Sequence, residues 1–109
     1  LIKDLQYNDT KPTIQVLIDT EACKEIRITF REGQIMKEHK TSFPIVVEIF
    51  EGAIDFGVNG TICHLKKGDL VALEGGVPHD LRALETSTVR LSLNKADSTK
   101  RVEDVAKNS

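Results

Sequence analysis

The stretch that decides the fold is GDLVALEGGVPHD, residues 68–80. A Gly-Asp turn precedes four apolar residues, and two glycines, a valine and a proline then lead to His79. Glycine tolerates the backbone angles of a sharp turn, and Pro78 restricts Val77 to extended geometry. We therefore expect a strand, a tight return of the chain, and a second strand that begins at His79 in a fixed orientation.

Alternation of apolar and polar residues extends outward from this stretch in both directions. The pattern is clear in segments 26–31, 45–50, 53–58 and 89–94. A period of two is typical of strands with one face on a core. Turn residues separate the segments at the spacing of a sandwich or barrel, and Asn59-Gly60 predicts a two-residue hairpin. The sequence thus predicts an all-β fold.

The length of 109 residues suits one domain. We interpret residues 1–13 as an N-terminal arm and residues 14–94 as the β-barrel. Residues 95–109 are highly charged, with a few apolar residues at helical spacing. A helix this short is marginal in water without tertiary contacts. We therefore expect a short C-terminal helix or a frayed tail.

The composition argues against several classes of partner. Fifteen basic and 17 acidic residues give a net charge of −2 with no basic stripe, so we expect no nucleic acid. No apolar run exceeds four residues, which argues against a membrane.

The two cysteines form no CxxC pair, so we expect a cytoplasmic protein with reduced, buried thiols. Because the chain begins at Leu1 without methionine, we expect that N-terminal residues are missing.

A second glycine–histidine spacing occurs in GQIMKEHKT, residues 33–41. Together with the opening stretch it resembles the two motifs of the cupin family, G-x5-H-x-H-x(3,4)-E-x6-G and G-x5-P-x-G-x2-H-x3-N. The resemblance covers about residues 33–83. The matching positions are Gly33, His39 and Gly52 in the first motif, and Gly68, Gly76 and His79 in the second.

This resemblance implies an RmlC-like double-stranded β-helix, a jelly-roll barrel of two sheets. It also implies a homodimer formed through a sheet face and an N-terminal arm. Cupins usually bind a metal through three histidines and a glutamate, but Thr41 and Ile45 occupy two of those positions here. Only His39 and His79 remain as metal ligands, so we leave occupancy by a divalent transition metal (Zn, Fe, Ni or Mn) open.

Strand parity predicts which side chains accompany the two histidines. Ile35, Lys37, His39 and Thr41 should share one face, and His79 should share a face with Leu81. Both histidines would then face one cavity, with Cys63 as a further inward-facing donor, whereas His64 should lie on the surface. The predicted ligand-binding pocket comprises His39, Thr41, Ile45, Cys63, His79 and Leu81.

Three functions remain open at this point. The first is a module that binds a small polar metabolite near the histidine pair. The second is a metal-dependent cupin enzyme, of the dioxygenase, isomerase or decarboxylase type, with a reduced ligand set. The third is a scaffold that acts through protein partners. The sequence lacks the G-x-S-x-G, phosphate-loop and H-E-x-x-H motifs, so it leaves open whether the protein is an enzyme.

Overall fold

The computed structural model describes residues 5–95, which form nine β-strands. Each of the four alternating segments predicted from the sequence falls on one of these strands. The strands are β1 Thr13–Asp19, β2 Cys23–Phe30, β3 Ile35–His39, β4 Ile45–Glu51, β5 Ala53–Val58, β6 Thr61–Lys66, β7 Leu70–Leu73, β8 His79–Ala83 and β9 Ser87–Asn94.

The strands form two antiparallel sheets that face each other. One has five strands in the order β1-β2-β9-β4-β7, and the other has four in the order β3-β8-β5-β6. The chain crosses from one sheet to the other at six of the eight connections, and only β1–β2 and β5–β6 are joined within a sheet. This double winding is the jelly-roll arrangement that the resemblance implies.

The core fills the space between the two sheets. On β5, Ile54 and Phe56 are fully buried and alternate with partly exposed neighbours, as a strand with one face on a core requires. The predicted all-β class is therefore confirmed. The buried apolar residues are Ile28, Phe30, Ile45, Val47, Ile49, Ile54, Phe56, Leu65, Leu81, Ala83, Val89 and Leu91.

The hairpin between β5 and β6 has the predicted geometry. Val58 pairs with Thr61, and both residues between them have positive φ, 51° at Asn59 and 77° at Gly60. Positive φ at both central positions is the signature of a type I′ turn, whose twist matches that of the flanking strands.

The N-terminal segment before β1 packs on its own barrel. The Thr29 hydroxyl donates a hydrogen bond to the Gln6 carbonyl, and Gln34 Nε2 donates to the Asn8 carbonyl at 2.6 Å. The domain boundaries remain predictions, and all but the first residue of the predicted C-terminal helix or tail, residues 95–109, lies outside the described residues. Within residues 5–95 there is no helix long and apolar enough to cross a membrane.

Gly52 tightens the connection between β4 and β5. Its φ is +94°, and a Cβ there would lie 2.1 Å from Ser87 Oγ. That hydroxyl accepts a hydrogen bond from the Ala53 amide at 3.1 Å. Glycine is thus required at this position of the first motif for two reasons. Its φ is positive, and Ser87, which helps to fix the turn, leaves no room for a Cβ.

We predict that Gly52→Ala destabilises the fold more than Gly68→Ala. Gly68 has a similar φ, +91°, but a Cβ there would meet no atom within 4 Å. Strain at positive φ costs about 1–2 kcal/mol in both variants, and the crowding at Ser87 adds about 1–3 kcal/mol in Gly52→Ala alone. Urea unfolding measures both, and equal losses of stability would contradict the steric explanation.

Candidate functional site

Three neighbouring strands of the four-stranded sheet bring the two histidines together. His79 begins β8 and pairs with His39 of β3 on one side and with Val58 of β5 on the other. On β8, His79, Leu81 and Ala83 are buried, whereas the residues between them are not. His79 therefore points into the barrel, as the sequence predicted, and His39 lies directly beside it.

A β-bulge changes which residues share the face of His39. Met36 pairs with Leu81 and His39 with His79, so three steps along β3 oppose two steps along β8. The predicted face of Ile35, Lys37 and His39 is therefore wrong. Ile35 lies opposite Arg82, is 53% exposed and faces away from the core, whereas Met36 packs against the core.

The two imidazole rings contact each other edge to face. Their centroids are 4.3 Å apart and their planes are inclined at 62°. On another side, the Phe56 ring stacks on His79 at 5.7 Å with an angle of 18°. His79 is only 1% exposed, and His39 is half-buried. His79 is thus enclosed within the barrel, whereas the adjoining His39 is partly accessible to solvent.

Backbone carbonyls determine which nitrogen of each ring carries the proton. His79 Nδ1 lies 3.0 Å from the Val77 carbonyl oxygen, and His39 Nδ1 lies 2.9 Å from that of Lys37. A carbonyl oxygen only accepts, so Nδ1 is the protonated donor in both rings. The neutral form of each histidine then has its lone pair on Nε2.

The His79 Nε2 atom is buried and has no hydrogen-bond partner among the described residues. Burial of a polar atom without a partner costs free energy, so such atoms are rare in folded proteins. Burial also lowers the pKa of His79 below its ordinary value of 6.5; the bond to Val77 and the Asp80 charge oppose this effect, and the nearby His39 adds to it. His79 is therefore a neutral ring with an available lone pair.

The loop that follows β3 and the loop that precedes β8 are joined by a hydrogen bond. The Gly76 amide donates to the Thr41 carbonyl at 2.7 Å, and the Thr41 hydroxyl donates to the Phe43 carbonyl at 2.9 Å. A Cβ at Gly75 would lie 2.5 Å from the Ser42 carbonyl oxygen. The paired glycines therefore serve a close loop–loop contact as well as the predicted turn.

The other residues of the predicted pocket lie on different strands and differ in how deeply they are buried. Leu81 is fully buried next to His79 on β8, whereas Ile45 is buried on β4 of the opposite sheet. Cys63 pairs with the inward-facing Phe56 but is exposed, because β6 is an edge strand. The expectation of two buried thiols is wrong, since Cys23 is only half-buried; both thiols are free, as predicted.

The donor set falls short of the usual metal site. Protein metal sites commonly supply three or four ligands. Across residues 5–95, no group of three or more histidine, cysteine, aspartate or glutamate side chains is placed to hold a metal ion. The two imidazoles alone therefore do not match the ligand set that the resemblance implies.

His64 lies away from this site, on the outer face of the four-stranded sheet. Its Nδ1 contacts Asp55 Oδ1, and its side chain is 77% exposed. This placement agrees with the predicted surface position. His64 therefore provides an exposed histidine against which the buried pair can be compared.

A cleft of about 590 Å³ lies elsewhere, on the outer face of the five-stranded sheet. Its walls include Cys23, Glu25, Val46 and Ser92. The Glu25 carboxylate already accepts hydrogen bonds from Arg90, at 3.1 Å, and from the Ser92 hydroxyl. Among residues 5–95, the buried side-chain atom without a hydrogen-bond partner is therefore at the histidine pair and not in this cleft.

Comparison with known proteins supports the fold. No protein-family model matches the chain, and no curated protein matches it. An RmlC-like cupin from Desulfovibrio desulfuricans is 19% identical with a TM-score of 0.82, covering 87% of this chain and 92% of that one. An uncharacterised Klebsiella pneumoniae protein with a double-stranded β-helix domain is 17% identical with a TM-score of 0.78, covering 86% and 85%.

A third solved structure, KdgF from a Halomonas species, is 17% identical with a TM-score of 0.73, and the match covers 89% of this chain and 93% of that one. These similarities show that the chain has the cupin fold, the RmlC-like double-stranded β-helix. The fold that the two motifs predict is thus confirmed. Most of the neighbours named here are themselves of unassigned function.

We predict that the buried His79 ring makes the fold less stable as the pH falls. Its pKa in the folded protein is lower than 6.5, so the unfolded chain binds the proton more tightly. The contribution of the neutral ring is complete above pH 6.5 and is lost progressively as the pH falls below it. Urea unfolding at about pH 7.5 and about pH 5.5 measures the loss.

The variant His79→Leu isolates this contribution. Carboxylates titrate in both proteins, so the difference between their stability losses reports on His79. The variant should lose less stability than the original protein between the two pH values. Equal losses would show that His79 titrates with the same pKa in the folded and unfolded chains.

Proposed function

We propose that this cupin-fold barrel binds a small polar metabolite at the His39–His79 pair. The observation that carries the proposal is the buried His79 Nε2 atom without a partner. A ligand that donates a hydrogen bond to this atom would remove the cost of its burial. His39, which lies beside it and is half-buried, would contact the same ligand from the solvent side.

The protonation state favours one chemical class of ligand. Both Nδ1 atoms contact backbone carbonyls, and burial lowers the pKa of His79. The neutral His79 ring accepts a hydrogen bond at Nε2 but provides no positive charge. The site therefore favours hydroxyl or amine donors, as in polyols and sugars, over an ionised carboxylate bound by charge alone.

A metal-dependent enzyme is the second candidate, because an imidazole lone pair is also what a divalent transition metal requires. The hydrogen bonds from Nδ1 to the backbone would orient both rings for that role. Because residues 5–95 bring only two donors together, the remaining ligands would have to come from outside this described set, for example from solvent or substrate. We therefore assign no reaction step to this candidate.

A ligand screen on the original protein and on variants of its three histidines tests the proposal. The probes are a panel of polyols, sugars and hydroxy acids, with Zn²⁺, Fe²⁺, Ni²⁺ and Mn²⁺ as separate arms. A ligand at about 100 times its Kd raises the free energy of unfolding by about 2.7 kcal/mol. We expect an organic probe to stabilise the original protein, and His39→Gln and His79→Gln each to weaken its binding at least about tenfold.

His64→Gln is the matched control, because it makes the same change at an exposed histidine on the outer face. It should bind the probe with unchanged affinity. Stabilisation by a metal alone, lost in His39→Gln and His79→Gln, would favour the second candidate. Binding that survives both substitutions would contradict the proposed site.

A further inference from the structure

The cleft on the outer face of the five-stranded sheet is an apolar surface that the proposed ligand at the histidine pair does not use. Four neighbouring strands, β2, β9, β4 and β7, contribute to its walls, which enclose about 590 Å³. Most of the lining residues are apolar, among them Val46, Ala72 and Leu73. Val46 belongs to an interior strand of the sheet and is still 42% exposed. We refer to this cleft as the outer cleft.

The described part of the chain ends at the rim of the outer cleft. Asn94, the last residue of β9, lines the cleft, and its amide donates a hydrogen bond to the Pro44 carbonyl at 3.1 Å. The Lys95 amide donates to the Ala22 carbonyl at 2.9 Å, and two hydrogen bonds from Lys95 Nζ to the end of β1 and the turn after it hold this residue in place. Because Pro44 and Ala22 also line the cleft, residues 96–109 start from a fixed point beside it.

The sequence of residues 96–109 has the pattern of an amphipathic helix. At 3.6 residues per turn, Val102, Val105 and Ala106 fall on one face, together with the small residues Ser98 and Ser109. The charged residues other than Arg101 fall away from that face: Asp97, Lys100, Glu103, Asp104 and Lys107. A helix this short is marginal without tertiary contacts, so its apolar face requires a surface to pack against.

We infer that residues 96–109 form this helix and that its apolar face packs in the outer cleft. The dimensions agree with this placement. A rise of about 1.5 Å per residue puts Val102 about 10 Å from Lys95. Neighbouring strands are about 4.8 Å apart, so β4 and β7 lie about 5 and about 10 Å from β9. A helix that crosses the sheet from β9 toward β7 thus brings its apolar face onto Val46 and Ala72.

The charges of the outer cleft fit the same occupant. Among the described residues, no lysine or arginine lines the cleft, whereas Glu25 and Glu74 do. Glu25 already accepts a hydrogen bond from Arg90 at 3.1 Å, so the exposed Glu74 is the carboxylate that an occupant would meet at the rim. Arg101 borders the apolar face of the helix and is placed to pair with it. The acidic rim therefore favours this segment over an anionic ligand.

Hydrogen exchange on the full chain tests the inference. Backbone amides of residues 101–106 should exchange at least about tenfold more slowly than in an unstructured peptide, at any protein concentration. Val46→Asp should return them to the unstructured rate, because it places a charge under the apolar face. Ile62→Asp is the matched control, at a position 63% exposed on β6 of the other sheet, and should leave the protection unchanged. Unchanged exchange of the β5 amides shows that both variants remain folded.

Substitutions within the segment provide a second test from the other side of the contact. Val105→Asp should remove the protection, because it places a charge on the apolar face. Lys100→Asp introduces the same residue on the opposite face and should preserve it. In the original protein, nuclear Overhauser effects should connect the methyl groups of Val102 or Val105 with those of Val46.

Three results would overturn the inference. The first is exchange of residues 101–106 at the unstructured rate in the original protein. The second is protection that survives Val46→Asp or Val105→Asp. The third is protection that appears only as the protein concentration rises, because it would show that the segment docks on a second copy of the chain.

Discussion

The pairing of β8 with β3 on one side and β5 on the other is the constraint on which the candidate site depends. It places His39, His79 and Val58 side by side on the inner face of one sheet. The bulge in β3 is part of this constraint, because without it His39 would point to solvent. The loop contacts at Thr41 and Gly75 then hold the ends of both strands together.

Desolvation converts this geometry into a specific chemistry. The barrel buries the His79 ring against Phe56 and occupies its Nδ1 with the Val77 carbonyl, but leaves Nε2 without a partner. A merely structural histidine would be expected to satisfy both nitrogens. Thr41 and Ile45 stand where a cupin metal site would have ligands, so the remaining pair suits hydrogen-bond recognition better than a complete metal site.

Much of the fold was predictable from the sequence, because alternation, turn glycines and motif spacing are local signals. The Asn59-Gly60 hairpin and the inward direction of His79 are examples. The face of Ile35 was not predictable, because a bulge depends on the partner strand. The exposure of Cys63 depends on its place at a sheet edge, and the unpartnered Nε2 atom depends on packing by Phe56; neither leaves a periodic trace in the sequence.

The central claim is that the buried His79 imidazole is neutral, protonated on Nδ1, and presents its Nε2 lone pair to a ligand. Long-range ¹H–¹⁵N correlation spectra of the imidazole nitrogens, recorded near neutral pH, test it most directly. We predict that His79 shows a protonated Nδ1 and an unprotonated Nε2. A proton on Nε2 of His79, or an imidazolium at that position, would contradict the claim.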